Sequence, residues 1–555
     1  MKKIVFLPLL ILYLSACGGG GGSSASPSPA ATAPAPVPTP AVSPTVTPTP
    51  EADYLAFEYL SGGDASIERT DIDAFSQSPR AITNDFATDG HFKQGNFLFR
   101  NAQRGRGPLL NNPTCQGCHI KDGRGNPPPD NETAFTSLLL KLSLGNDDSG
   151  ATIADPIYGT QLQTFGLSET DNLLEAEYEA ATDQTTVTGE AFALVKYEEI
   201  VGQFNDGSEY SLRKPTYYLK NPAWGDFAEG ILISPRVASP MIGLGLLGAI
   251  PEADILQLED ADDDNADGIS GRARQVFNNT SNRIELGRYG WKASTASVLQ
   301  QSATAAQTDI GLSNSFNRNE SCTEPQIACN ERAAGEIRAG DEVDLPDLQL
   351  AFIEFYSRVL AVPERRGYDK DSGTWQADIA AGRQLFINTG CDGCHVRHHL
   401  TAEASESVLG SLQQFSDLAI TGEPIEVLSN QHIWPHTDLL LHDMGGSCDA
   451  ISRETATGAA CDSGEECLWV QRCEGLADGR PDGEASGSEW RTAPLWGLGL
   501  TNIVNPNAGY LHDGRARSIS EAILWHGGEA EPAQQRYLAM SAAEREQLHA
   551  YLESL

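Results

Sequence analysis

The chain has 555 residues, of which 76 are Asp or Glu and 38 are Lys or Arg, giving a formal net charge of −38. Binding nucleic acid needs an excess of cations to neutralise phosphate, so that class is excluded. At 40% apolar content the chain can fill the cores of two to four domains of roughly 100–200 residues each.

Lys2 and Lys3 precede an apolar run from Ile4 to Leu14. That run is too short to span a bilayer, which takes about 20 residues, and reads as a secretory signal. Leu14-Ser15-Ala16-Cys17 resembles the lipobox of bacterial lipoproteins, which implies cleavage before Cys17 and lipid on its thiol. Such an anchor needs no spanning segment. Residues 1–16 are thus assigned to a signal peptide and 17–51 to a Pro/Ala/Ser/Thr-rich tether, uncharged from Gly18 to Pro50. The body is expected in the cell envelope, lipid-anchored, facing the periplasm or on the outer membrane.

Residues 52–300 are read as a first domain. Phe92, Gly95, Phe97 and Phe99 lead towards Cys115-Gln-Gly-Cys118-His119, a CxxCH motif; Cys391-Asp-Gly-Cys394-His395 is the second. Two cysteines three apart lie on one side of a helical turn, so both sulfurs can add to the vinyl groups of one porphyrin. The adjacent His then reaches the iron. Two covalently bound haems c follow. Thr185–Val187 and Ala191–Tyr197 suit short strands, with little β-structure elsewhere. Asp263, Asn265, Asp267 and Gly268 match the opening of a calcium loop, but Arg274 stands where an EF-hand needs Glu. A smaller Ca²⁺ loop using the Ile269 carbonyl and a solvated acidic turn both remain open.

Residues 301–364 connect the haem domains. They include a helix over Leu345–Leu360, with Pro346 in its first turn and Leu348, Phe352, Phe355 and Val359 on one face. In 365–555, Gly382 allows another helix to approach the segment before the second CxxCH. Its expected partner is the last helix, Ser541 to Leu555, which opens with the capping pair Ser541 and Glu544. Leu548, Tyr551, Leu552 and Leu555 form its apolar stripe. A shorter helix starts at Ser518 and stops at Gly527-Gly528, with His526 ending its inward face. Of the remaining cysteines, Cys322 pairs locally with Cys329. Cys448, Cys461, Cys467 and Cys473 allow three connectivities, and none shows the CxxC spacing of a redox dithiol.

Beyond the tether the chain resembles the bacterial di-haem oxidoreductases, a family also labelled peroxidase or thiol oxidoreductase and related to the di-haem cytochrome c peroxidases. Matching motifs in order include CHIKDGRG (Cys118–Gly125), YGTQLQ (Tyr158–Gln163), the run Ser234–Leu256, DGISGR (Asp267–Arg272) and YGWKA (Tyr289–Ala293). HTDLLLHDMG (His436–Gly445), EWRTAPLWGLGL (Glu489–Leu500) and Leu511–Ala530 follow. The resemblance implies a mainly α fold of two cytochrome c-like domains with large loop insertions. In the peroxidase relatives the distal ligand of the C-terminal haem lies fourteen residues after the His of the HDG motif. Here that position is His526, counted from His512. Met444 and His442 are the alternatives.

No His occurs between His119 and His395, so the chain departs from relatives that place a distal His there, and an open first iron is expected. Met241 is the only Met in the interval. Gln161 and Gln163 are candidates to position peroxide, with Glu169 and Glu175 as nearby acids. Pro215 and Pro494 resemble the cytochrome c segment whose carbonyl orients the proximal His, and Trp224 and Trp291 are candidate electron relays. The implied function is reduction of H₂O₂ at the N-terminal haem, with electrons relayed through the C-terminal haem from a cytochrome- or cupredoxin-type donor. The alternatives are a tethered electron-transfer cytochrome, or a thiol oxidase or oxygenase on the same scaffold. One lipid anchor, four haem thioethers and six disulfide cysteines account for all eleven, leaving no catalytic thiol.

Overall fold

A computed structural model describes residues 57–102, 107–129, 135–167, 173–175, 187–335, 343–404, 425–461 and 467–555. The expected signal and tether, with Cys17, and Glu169 lie outside the described residues. No helix among the described residues is long and apolar enough to cross a membrane.

Two crossed helix pairs carry the haem motifs. The first joins Phe86–Arg100 to Asp347–Arg358. Asp85 caps the former by accepting from the amides of Ala87 and Thr88, which satisfies two donors that the helix cannot. Phe92, Gly95, Leu98 and Phe99 face inward. Phe97, expected among them, is 57% exposed, because a 3.6-residue period puts it opposite Phe92 and Phe99. At Gly95 any side chain would meet the Phe352 carbonyl, so the helices cross backbone to backbone. In Asp347–Arg358 the buried face runs through Leu350, Ile353, Phe355 and Tyr356, and the predicted Leu348 and Phe352 are only partly buried. Pro346 is the N-cap rather than a first-turn residue.

The second pair is Ala377–Thr389 against Ala542–Ser554. Ser541 and Glu544 form the reciprocal capping box, and Leu548, Tyr551, Leu552 and Leu555 are all buried. Gly382 admits the partner, since a methyl there would overlap the Gln547 carbonyl.

The mainly α expectation is overturned. The chain is 30% helical and 20% strand, distributed over many small sheets. The largest sheet is built on a long hairpin, Phe192–Gln203 with Glu209–Lys220, whose ladder runs from the Phe192/Lys220 pair to Gln203/Glu209. The first of these strands extends well past the predicted Ala191–Tyr197, and Val187 lies in no strand. Leu468–Gln471 adds to the hairpin's outer edge, and Ser452–Glu454 adds to that. The hairpin tip reaches the C-terminal helices, where Phe204 packs edge-on against Tyr537 and Arg545 pairs with Asp206 at 2.8 Å.

A second ladder pairs Leu138–Ser143 with Leu232–Val237. Its two-residue period sends Leu138, Leu140 and Leu142 into the sheet core. Leu139, Lys141 and Arg236 line a cavity at the first CxxCH instead.

Candidate functional site

The first CxxCH occupies the one-turn helix Cys115–Cys118, capped by Thr114, whose hydroxyl accepts from the Gly117 amide. His119 Nδ1 lies 2.8 Å from the Ser239 carbonyl. A carbonyl only accepts, so Nδ1 carries the proton and Nε2 keeps its lone pair. Burial lowers the His119 pKa, which keeps the ring neutral and suited to a metal. The adjoining cavity has a volume of about 300 Å³, and His119 is the only histidine lining it among the described residues. Helix Val298–Ile310 supplies Thr308 and Asp309 to its wall. Met241 also lines it, two residues after the acceptor Ser239.

Lys141 makes no side-chain hydrogen bond or ion pair with the described residues, and burial lowers its pKa. Asp309 Oδ1 accepts from Gln161 Nε2 (2.9 Å) and Thr308 Oγ1 (2.8 Å). Gln161 and Gln163, the sequence's candidates for handling peroxide, are buried and line neither cavity. Gln161 also donates to Asn111 Oδ1 and the Thr308 carbonyl, so it braces Asp309 from behind. The Gln163 amide donates to Glu190. Glu175 ends the short strand Leu173–Glu175. The backbone of Gln161 pairs with Lys141, so Lys141, one strand over, is the residue that reaches the cavity.

The second CxxCH follows helix Ala377–Thr389, which ends on left-handed Gly390 (φ 84°). His395 Nδ1 donates to the His436 carbonyl at 3.0 Å. A cavity of about 460 Å³ adjoins it. His526 lines this cavity, held by donation from Nδ1 to the Ala522 carbonyl at 2.7 Å, so its Nε2 keeps a lone pair too. Helix Ile519–Leu524 carries it there, capped by Ser518. Burial lowers His395 to a pKa of about 4, with a smaller contribution from nearby His526. Burial lowers the His526 pKa too, so both rings are neutral and line the same cavity.

His442 cannot serve as a ligand. Its Nε2 binds Asp438 and its Nδ1 binds Glu529, each at 2.8 Å. Burial opposes its charge, but these hydrogen bonds, with that to Cys394, raise its pKa to about 12. The ring is doubly protonated and has no lone pair. Met444 lines the cavity as well. His512 does so stacked on Trp490, centroids 3.8 Å apart.

The carbonyls that orient His119 and His395 belong to Ser239, before Pro240, and to His436, after Pro435. The expected Pro215 and Pro494 do not play this part. Pro215 sits mid-hairpin opposite Tyr197, and Pro494 lines the first cavity. Trp291 lines both cavities and donates from Nε1 to the Val237 carbonyl. Trp224 lines neither; its amide donates to the Tyr158 hydroxyl. Arg124 and Arg491 share the common wall with Trp291.

In the acidic loop, Asp263 accepts from the Gly268 amide, Asn265 from that of Asp267, and Asp267 from that of Ile269. These oxygens stabilise their own turn. No group of three His, Cys, Asp or Glu among the described residues is placed to hold a metal ion, so the calcium expectation gains no support. The disulfides are Cys322–Cys329, Cys448–Cys473 and Cys461–Cys467, and the four CxxCH thiols stay unpaired.

Residues 74–460 and 464–555 match the family described as "Di-haem oxidoreductase, putative peroxidase". No curated protein matches the chain. A chain of Kuenenia stuttgartiensis hydrazine synthase pressurised with xenon is similar at 16% identity over 42% of this chain and 62% of that chain. Its TM-score is 0.21, and it carries no argument about this fold. With two CxxCH cavities and a family match along nearly all of its described length, the chain belongs to the di-haem oxidoreductases, with haem as its cofactor.

Proposed function

We propose that the chain is a c-type di-haem peroxidase. It reduces H₂O₂ at the N-terminal site and takes electrons in through the C-terminal site. The observation that carries this reading is the asymmetry of the two cavities: His395 shares its cavity with the neutral histidine His526, whereas His119 is the only histidine lining its own among the described residues. One iron would be closed by two imidazoles, suiting electron transfer, and the other open to a small ligand.

The residues fit covalent haem. Four thiols remain in CxxCH pairs while the other described cysteines are in disulfides. Each CxxCH imidazole turns an Nε2 lone pair away from its backbone acceptor, beside a cavity. Bound haem supplies the one-electron redox chemistry and the site where an O–O bond can break. The overall change is H₂O₂ + 2e⁻ + 2H⁺ → 2H₂O, so the protein must deliver protons. Lys141 Nζ is the donor in this reading. Its unpartnered ammonium faces the first cavity, and its lowered pKa eases transfer. Asp309, fixed by Gln161 and Thr308, attracts the Lys141 ammonium, and solvent resupplies both protons through that amine. Trp291 in the shared wall is the electron path.

Cys17 as a lipid anchor would hold the enzyme at the envelope, and the charge of −38 suits a basic or small diffusible donor. The test is rapid mixing of reduced holoprotein and a reduced donor cytochrome with H₂O₂. Donor oxidation far above that of free haem is expected; a rate equal to free haem rejects the reading.

A further inference from the structure

Buried arginines in this protein are neutralised by carboxylates almost everywhere. Of the eleven buried among the described residues, eight lie 2.8–3.6 Å from a carboxylate oxygen. Arg124, Arg288 and Arg491 have no such partner among the described residues, and all three line a CxxCH cavity. An uncompensated charge is costly to bury, so an exception confined to cavity walls points to a counter-charge that enters with the cofactor.

Arg288 differs from the other two. It lines only the first cavity, and its Nη1 donates to the carbonyls of Leu247 and Ile250. Arg124 and Arg491 each line both cavities while only 8% exposed. Arg491 donates from Nε to the Gly290 carbonyl and from Nη1 to the Thr492 carbonyl. Arg124 reaches the Leu511 carbonyl at 3.5 Å and lies 5.4 Å from the centre of the Trp291 ring. The shared wall therefore holds two guanidiniums, with most of their donors unused, together with the Trp291 indole. Haem brings two propionate carboxylates per ring, and a guanidinium binds carboxylate through paired, charge-assisted hydrogen bonds.

We propose that Arg124 and Arg491 form a cationic bridge between the two haem sites, accepting haem propionates from both cavities and thereby setting both reduction potentials together. Removing one cation leaves propionate charge uncompensated, which favours ferric over ferrous iron at both sites. The proposal rests on the family's two haems and not on peroxide as substrate.

The experiment is spectroelectrochemical titration of the full-length holoprotein, resolving both haems, without peroxide. Arg124→Gln should lower both potentials, by about tenfold in each reduction equilibrium, or about 59 mV for a one-electron couple. Arg124→Lys, which keeps the charge, should recover most of the shift. Arg288→Gln should move the first haem alone. If Arg124→Gln does not yield holoprotein, Arg491→Lys replaces it; this variant loses the fork geometry and should give a smaller shift at both haems. Unchanged potentials, or a shift at only one haem in the Arg124 or Arg491 variants with normal haem spectra, overturn the bridge.

Discussion

Replacing Gly382 with alanine should loosen the helix pair behind the second haem site, whereas the same change at Gly90 should tighten the protein. At Gly382 the new methyl would overlap the Gln547 carbonyl and lie 2.8 Å from the Tyr551 Cβ. Carbon atoms normally rest about 3.5–4.0 Å apart, so the helices must separate by roughly 1 Å. Overpacking of this kind costs about 1–3 kcal/mol, and better helix propensity returns about 0.5–1 kcal/mol. The expected net loss is about 0.5–2 kcal/mol. Gly90 lies in helix Phe86–Arg100, where an added methyl would have nothing within 4 Å, so only the gain of about 0.5–1 kcal/mol applies. Urea unfolding of the holoprotein, followed by circular dichroism and by haem absorbance, reads both. Equal midpoints for the two variants, or a stabilised Gly382→Ala, would refute the backbone-to-backbone crossing.

Three further outcomes follow from the sites. His526→Met should raise the potential of the second haem, because thioether ligation favours the ferrous state, and should change that haem's spectrum alone; an unchanged spectrum removes His526 as ligand. Lys141→Met should slow donor-dependent peroxide reduction by about 10²–10⁴-fold with peroxide binding retained, measured in single turnovers, and a wild-type rate removes Lys141 as proton donor. His442 has a folded pKa raised to about 12, so its charged form contributes stability fully below the unfolded value of about 6.5. That contribution is lost as pH rises towards the folded value. Stability should therefore fall across this window in the wild type and less in His442→Gln. That variant should also be weaker by about 3–5 kcal/mol near neutral pH, because Asp438 and Glu529 lose their buried cation; denaturation as a function of pH checks both effects.

Features set by local spacing were legible in the sequence. Both CxxCH motifs, the Ser541 cap, the Leu548-to-Leu555 stripe and the inward His526 depend on residues within one or two helical turns. Gly382 was legible because a glycine inside an apolar helix implies close approach. The sheets were not. Leu138–Ser143 reads as an apolar run broken by Lys141 and ending on Ser143, and its partner strand lies nearly a hundred residues away. Leu468–Gln471 pairs with a hairpin about 250 residues earlier. Arg124, Arg491 and Trp291 stood in the recognised motifs, but their meaning comes from a wall that only the tertiary structure assembles. The proximal carbonyls were misassigned for the same reason: any proline-containing loop fits the pattern, and the fold selects which one reaches the imidazole.

The inequality of the two irons can be read directly by low-temperature EPR of the fully oxidised holoprotein. The account predicts two signals, one low-spin from the bis-histidine second site and one high-spin from an open first site, with only the latter altered by a small added anion. Two low-spin, six-coordinate signals insensitive to added ligand would contradict it.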